Sequence, residues 1–171
     1  MVTSLLRRWA YRAGQFVGAL RPRLHTYERA AVRMILGQRL YPLFESMALR
    51  DQRHCYDVYR ALQQRGCSDR DLLMAALLHD AGKGRIAGDP VRLWHRVAYV
   101  LLATAAPALL HRLTRRERGG LATLHRHAEI GAQLAQSFGA PPRVVEAIRR
   151  HEDAAFGDES LRLLQVADDS A

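Results

Sequence analysis

The chain has 171 residues, enough for one domain with a sizeable core. Hydrophobic residues make up 49% and charged residues 25%, a globular balance that excludes a disordered chain. A formal net charge of +9 favours anionic partners, whether nucleotide, nucleic acid or acidic lipid. The basic residues are spread along the chain, which disfavours a dedicated nucleic-acid arm. Cys55 and Cys67 form no Cys-x-x-Cys pair and no disulfide framework, so a reducing, cytoplasmic setting is expected. No signal peptide is visible in the first twenty residues, where arginines interrupt the apolar positions.

In chain order, residues 3–20 place Leu5, Leu6, Trp9, Ala13, Phe16, Val17 and Leu20 on one helical stripe, an amphipathic helix expected to pack on its own domain. Arg21-Pro22-Arg23 breaks it. A second helix is expected from Thr26, as N-cap, to Gly37, and Tyr41-Pro42-Leu43-Phe44 opens a connector or short helix. Asp51 looks like the cap of a helix reaching Gly66, which stands where a C′ glycine belongs. Ser68 with Asp71 imitates a capping box and starts the next helix. That helix, Leu72 to Leu78, is apolar nearly all round, the mark of a buried element, and it runs straight into His79-Asp80.

The middle of the chain, 84–122, reads as an insertion. The apolar run Val97–Ala106 is interrupted by Pro107 and bracketed by Arg96 and Arg112, too short to span a membrane. A helical hairpin bent at Pro107 is expected, its apolarity explained by burial, a dimer interface or shallow membrane contact. Further helices are expected from Leu121 or Ala128 to Gly139, from Pro141-Pro142 to Arg150, and from Asp158 to Asp168. No stretch alternates like a strand and no internal repeat is visible. The expected architecture is all-α: a helical extension over 1–48 packed on a domain of 49–171.

The chemistry gathers around Leu77-Leu78-His79-Asp80-Ala81-Gly82-Lys83-Gly84. An ionised carboxylate at the end of a core helix is costly unless it is paired or bound to a metal. Imidazole with carboxylate is a common ligand set for Zn, Mn, Fe or Co. Among 26 lysines and arginines only Lys83 is a lysine, placed in a glycine-flanked turn where a phosphate could approach. His54, His127, His151 and Asp168 stand in similar helical settings beside apolar residues. There is no serine elbow, P-loop or dinucleotide-binding glycine motif to offer rival machinery.

In order, His54, the pair His79-Asp80 and the distant Asp168 resemble the HD-domain superfamily of metal-dependent phosphohydrolases. The stretch His79-Asp80-Ala81-Gly82-Lys83 is similar to its HD-x-G-K variant. His127-Ala128-Glu129-Ile130-Gly131 matches a His-Pro-Glu-x-Gly helix start with Ala128 in place of proline. Arg150-His151-Glu152 matches a His-His-Glu motif with Arg150 in place of the first histidine. No Gly-Tyr-Pro motif follows, which argues against the cyclic-dinucleotide-cleaving branch, and the missing histidine argues against a three-metal centre.

The resemblance covers roughly residues 50–170. It implies an HD-like helical bundle with a divalent ion (Mn, Fe, Co, Zn or Mg) on His54, His79, Asp80 and Asp168. A second ion on His127 and His151 is left open. Asp80 and Lys83 become the catalytic residues, with Lys83 and Arg150 meeting the substrate phosphate. The implied substrate is a small phosphorylated compound such as a nucleotide, cleaved by an activated water. The alternative is a catalytically silent nucleotide-binding or interaction module on the same fold. A homodimer through the apolar insertion is a further expectation.

Overall fold

The computed structural model describes residues 23–115, 118–155 and 157–171. The expected helix over 3–20 lies outside the described residues. Among those described there are nine α-helices, two short 3₁₀ turns and no strand. In order they are α1 (Thr26–Glu45), α2 (Leu49–Gln64) and α3 (Arg70–Leu78), then the turns Ala81–Lys83 and Arg85–Ala87. The insertion forms α4 (Leu93–Ala105), α5 (Pro107–Thr114) and α6 (Gly120–His125). The bundle closes with α7 (His127–Ser137), α8 (Pro142–Arg150) and α9 (Glu159–Asp168).

The core is built around α3. Every residue from Leu72 to Leu78 is buried, so the helix needs neighbours on all sides, and it packs against α1, α2, α8 and α9. Helix α1 continues past the expected stop at Gly37, where the chain bends through φ 66° and resumes the helix. Glycine tolerates that left-handed value at little cost. Both halves then reach the same core, Val32 and Leu36 before the bend, Leu40, Leu43 and Phe44 after it.

Three helix starts differ from their expected positions. His25, not Thr26, is the N-cap of α1, and its backbone N–H donates to the Glu28 carboxylate at 2.7 Å. Ala48 caps α2, because Asp51 is turned inward and held by the Arg96 guanidinium at 2.6 Å. Asp69, not Ser68, caps α3, accepting from the N–H groups of Asp71 and Leu72. In the last case Ser68 and Asp69 both offer a capping side chain, and the Asp69 carboxylate is the one that meets the free N–H groups. Gly66 lies one residue past the C-cap of α2, as its position suggests.

The insertion is a hairpin bent at Pro107, which serves as the first residue of α5. Proline suits that position because its missing N–H would be unpaired there anyway. The region expected to hold one helix from Leu121 or Ala128 contains two, α6 and α7, separated at Arg126. Burial does not explain the apolarity of α4, which has no buried residue, whereas α5 buries Leu110. No helix of the described residues is long and apolar enough to cross a membrane.

Candidate metal centre

Three histidines stand at helix boundaries, and each uses its ring in the same way. His79 follows α3, His127 follows α6 and His151 follows α8. In each case Nδ1 lies on the carbonyl three residues back: Ala76 O at 2.9 Å, Leu124 O at 2.7 Å and Ile148 O at 2.8 Å. The final carbonyls of a helix lack intrahelical partners, so a ring placed just beyond the end can donate to one. A neutral imidazole that donates from Nδ1 carries a bare lone pair on Nε2. All three Nε2 atoms are therefore aimed into one space, those of His127 and His151 as acceptors.

That space contains little to receive them. His127 Nε2 and His151 Nε2 face each other at 3.3 Å, lone pair to lone pair. His79 Nε2 is buried without a hydrogen bond; the nearest carboxylate oxygens, on Asp168 and Asp80, lie at 3.5 and 3.7 Å. Asp80 Oδ1 is 3.6 Å from His127 Nε2, and Asp168 Oδ1 is 2.8 Å from His54 Nε2. The ligand atoms form two adjoining groups, His54–His79–Asp168 and Asp80–His127–His151, each within 4.8 Å. Acceptors converging at this depth repel one another unless a cation lies among them. The donor set fits a divalent transition ion.

The electrostatics agree with this geometry. Burial pushes His127 down to about 3, aided by the nearby Lys83 charge, and pushes His151 down to about 4, so both rings stay neutral. Burial alone would raise Asp80, but Lys83 and the surrounding histidines hold its carboxyl well below the usual range. Asp168 is likewise held low against its burial by its hydrogen bond to His54 and by the charge of His79 and His54. His79 behaves in the opposite sense: burial opposes protonation, yet Cys55, Asp80 and Asp168 outweigh it and raise its pKa. Before a cation arrives, the two acids thus favour a proton in its place. Cys55 also groups with His79 and Asp80, but burial pushes its thiol up and away from the thiolate form.

Two glycines bring the halves together. A Cβ on Gly82 would lie 1.9 Å from the His127 carbonyl oxygen and 2.8 Å from the Gly131 nitrogen. The 3₁₀ turn after Asp80 is packed directly on the start of α7, and that contact sets Asp80 opposite His127. Gly82 therefore makes room for backbone, where the sequence suggested room for phosphate. Lys83 points back to Asp80, its Nζ 2.6 Å from Oδ1.

The structure brings His54, His79, Asp80, Lys83, His127, His151 and Asp168 into one cluster. It does not bring Arg150. That guanidinium faces Glu146, Asp153 and Asp158 at 3.6–3.9 Å and lines a separate small cavity with Asp71 and Arg143. Arg150, expected to meet the substrate phosphate, is turned away from the cluster, because α8 directs the adjacent His151 inward. His54, Asp168 and Glu152 make the solvent side, and Glu152 Oε1 is 3.7 Å from His127 Nε2.

Two cationic or polar neighbours escaped the motif. Arg96 of α4 grips the buried Asp51 of α2 and its charge is felt at Lys83. Nothing in the apolar run around Arg96 marks it as more than a boundary. On the other side of Lys83 is a groove of about 590 Å³ lined by Arg29, Glu45, Gln52, Lys83 and Arg85, among others. Gln52 Nε2 donates to Met47 O at 2.9 Å and Glu45 O at 3.3 Å, which fixes the amide and leaves buried Oε1 without a donor.

The HD domain family model matches residues 51–171, the region that carries every residue of the cluster. The family is one of metal-dependent phosphohydrolases. No solved structure matches the chain. With the ordered ligands, the all-α bundle and this match in place, the chain belongs to the HD-domain family.

Proposed function

We propose that this chain is a metal-dependent phosphohydrolase acting on a small phosphate ester, a nucleotide by preference. The observation that carries the reading is the convergence of His79, His127 and His151 Nε2 atoms, with His79 Nε2 left without a partner. His54, His79, Asp80 and Asp168 would hold one divalent ion; Asp80, His127 and His151 suit a second. A divalent ion so held lowers the pKa of water towards 7 and polarises a phosphoryl oxygen. The chain's own residues do the rest. Backbone carbonyls of Ala76, Leu124 and Ile148 lock the ring tautomers. Buried Asp80 remains ionised, and Lys83 stands beside it to meet phosphoryl charge as that charge develops.

The adjoining groove supports the substrate class. Arg29, Lys83 and Arg85 offer positive charge to a phosphate. Reduced Cys55 and Cys67 suit a cytoplasmic setting. Residues 23–48 are read as packed on the domain, since α1 shares its core.

The test is metal analysis of the purified chain, followed by a panel of nucleotides and simple phosphate esters at saturating Mn²⁺. Bound metal with hydrolysis supports the reading. Bound metal with no turnover on any ester favours the silent binding module, and absence of both removes the assignment. Lys83→Ala should keep its metal and lose about 10²–10³-fold in kcat, as for loss of one preorganised donor. Lys83→Arg should recover only part of that, because a planar fork does not replace a compact ammonium.

A further inference from the structure

Helix α4 is built inside out. Its polar residues face the protein: the His95 ring lies over Gly120, Arg96 grips Asp51, and Tyr99 Oη is 3.1 Å from His125 Nδ1. Its apolar residues face solvent. Leu93, Trp94, Val97, Val100 and Leu101 are spaced i, i+1, i+4, i+7 and i+8, one face of a helix, and are 53–64% exposed. Thr104 continues the face, and its hydroxyl is spent on the Val100 carbonyl at 2.8 Å. Leu109 and Leu113 of α5, one turn apart, are exposed as well. A surface helix normally presents the reverse pattern, and an apolar face left to water indicates a partner.

The charges around this face select among partners. From residue 90 to residue 116 there is no aspartate or glutamate. Arg92, Arg112 and Arg115 in that stretch are exposed, and no ion pair is made by any of the three among the described residues. A second copy docked by a two-fold axis would set arginines near arginines, on chains that each carry +9. An anionic lipid surface accepts both features: acyl chains receive Trp94, Val97 and Leu101, while phosphate headgroups receive the arginines. The hairpin is too short to cross a bilayer, so it would lie in the interface.

We propose that the outward face of α4, with the adjoining part of α5, seats the protein on an anionic membrane surface. The inner side of the same helix carries Arg96 and Tyr99, which hold it to Asp51 and His125. The inference rests on exposure and charge alone and stands whether or not the protein hydrolyses phosphate esters.

The experiment is co-sedimentation of the full chain with vesicles of phosphatidylcholine, with and without half phosphatidylglycerol, at low and high salt. Binding should be at least about tenfold tighter to the anionic vesicles and should weaken with salt. Leu101→Glu and the pair Val97→Glu/Leu101→Glu should lower it at least about tenfold, and Arg112→Glu by less, with thermal midpoints unchanged. The proposal is overturned if wild type stays unbound, or if the glutamate variants bind as well as wild type. It is equally overturned if light scattering shows a dimer that Leu101→Glu dissociates. A Leu101→Glu variant that fails to fold would also sink it, since another part of the chain would then cover this face.

Discussion

The metal centre and the insertion hairpin break the same rule in opposite directions. One buries ionisable groups at His79, Asp80, His127 and His151; the other exposes large apolar groups at Leu93, Trp94, Val97 and Leu101. A folded chain tolerates either only when something else completes it. Inside the bundle the missing piece is a small cation, because unpaired lone pairs converge at a few ångströms. On the hairpin it is an extended surface, because the exposed groups lie in a row without directional polar contacts. The two departures thus point to ligands of different size and chemistry.

The largest expected effect is at Asp80. Asp80→Asn keeps the shape but leaves Lys83 buried beside a neutral amide. Losing one member of a buried pair costs on the order of 3–5 kcal/mol, so the urea midpoint should fall sharply. Adding Lys83→Met should restore much of that stability without restoring metal content. If Asp80→Asn alone is as stable as wild type, the buried charge is less constrained than its 2.6 Å contact implies.

Next in size is Gly82→Ala. The added Cβ meets backbone at 1.9 Å, which cannot yield as a side chain would. Separating the 3₁₀ turn from α7 should cost on the order of 1–3 kcal/mol and weaken binding of a second Mn²⁺ more than the first. Isothermal titration resolves the two steps. Unchanged affinities in both would mean that Asp80 and His127 do not depend on this contact.

Acid sensitivity follows from the two depressed histidines. His127 and His151 resist protonation until about 3 and about 4, whereas in the unfolded chain they take protons near 6.5. The unfolded state then binds more protons, so metal-free stability falls as pH drops from about 6.5 towards 4, by about 1.36 kcal/mol per pH unit for each ring. His79 does not offset this, since its raised pKa keeps it protonated in the folded state across that window. Urea titrations of metal-free wild type and His151→Gln should show a shallower slope in the variant. Equal slopes would place the acid sensitivity elsewhere.

The smallest expected change is on the hairpin. Leu101→Glu in a free hairpin should alter folding stability by no more than about 0.5 kcal/mol, as surface substitutions usually do. A core position of the same type, such as Leu77, tolerates no charge at all. Thermal melts of both variants measure the difference directly.

Much of the cluster was readable in one dimension. His54, His79-Asp80 and Asp168 stand in the order that the resemblance to the HD-domain superfamily implies, and α3 announces its burial through an unbroken apolar run. The all-α class follows for the same reason: helical periodicity and the absence of alternation are local properties. Pro107 at the start of α5 is equally local, because a proline's missing N–H acts on its own turn.

What the linear pattern leaves undetermined depends on neighbours distant in the chain. Asp51 reads as a helix cap until Arg96, 45 residues later, draws it inward. Gly82 reads as space for a ligand until the start of α7 occupies that space. Arg150 and His151 are adjacent in sequence, yet one faces acids at the surface and the other faces the cluster, because α8 can present only one of them to its neighbours. The apolar run of α4 carries the period of an amphipathic helix, and period alone says which residues share a face. Whether that face meets the protein or the solvent is decided by tertiary packing, here by His95, Arg96 and Tyr99 anchoring the opposite side.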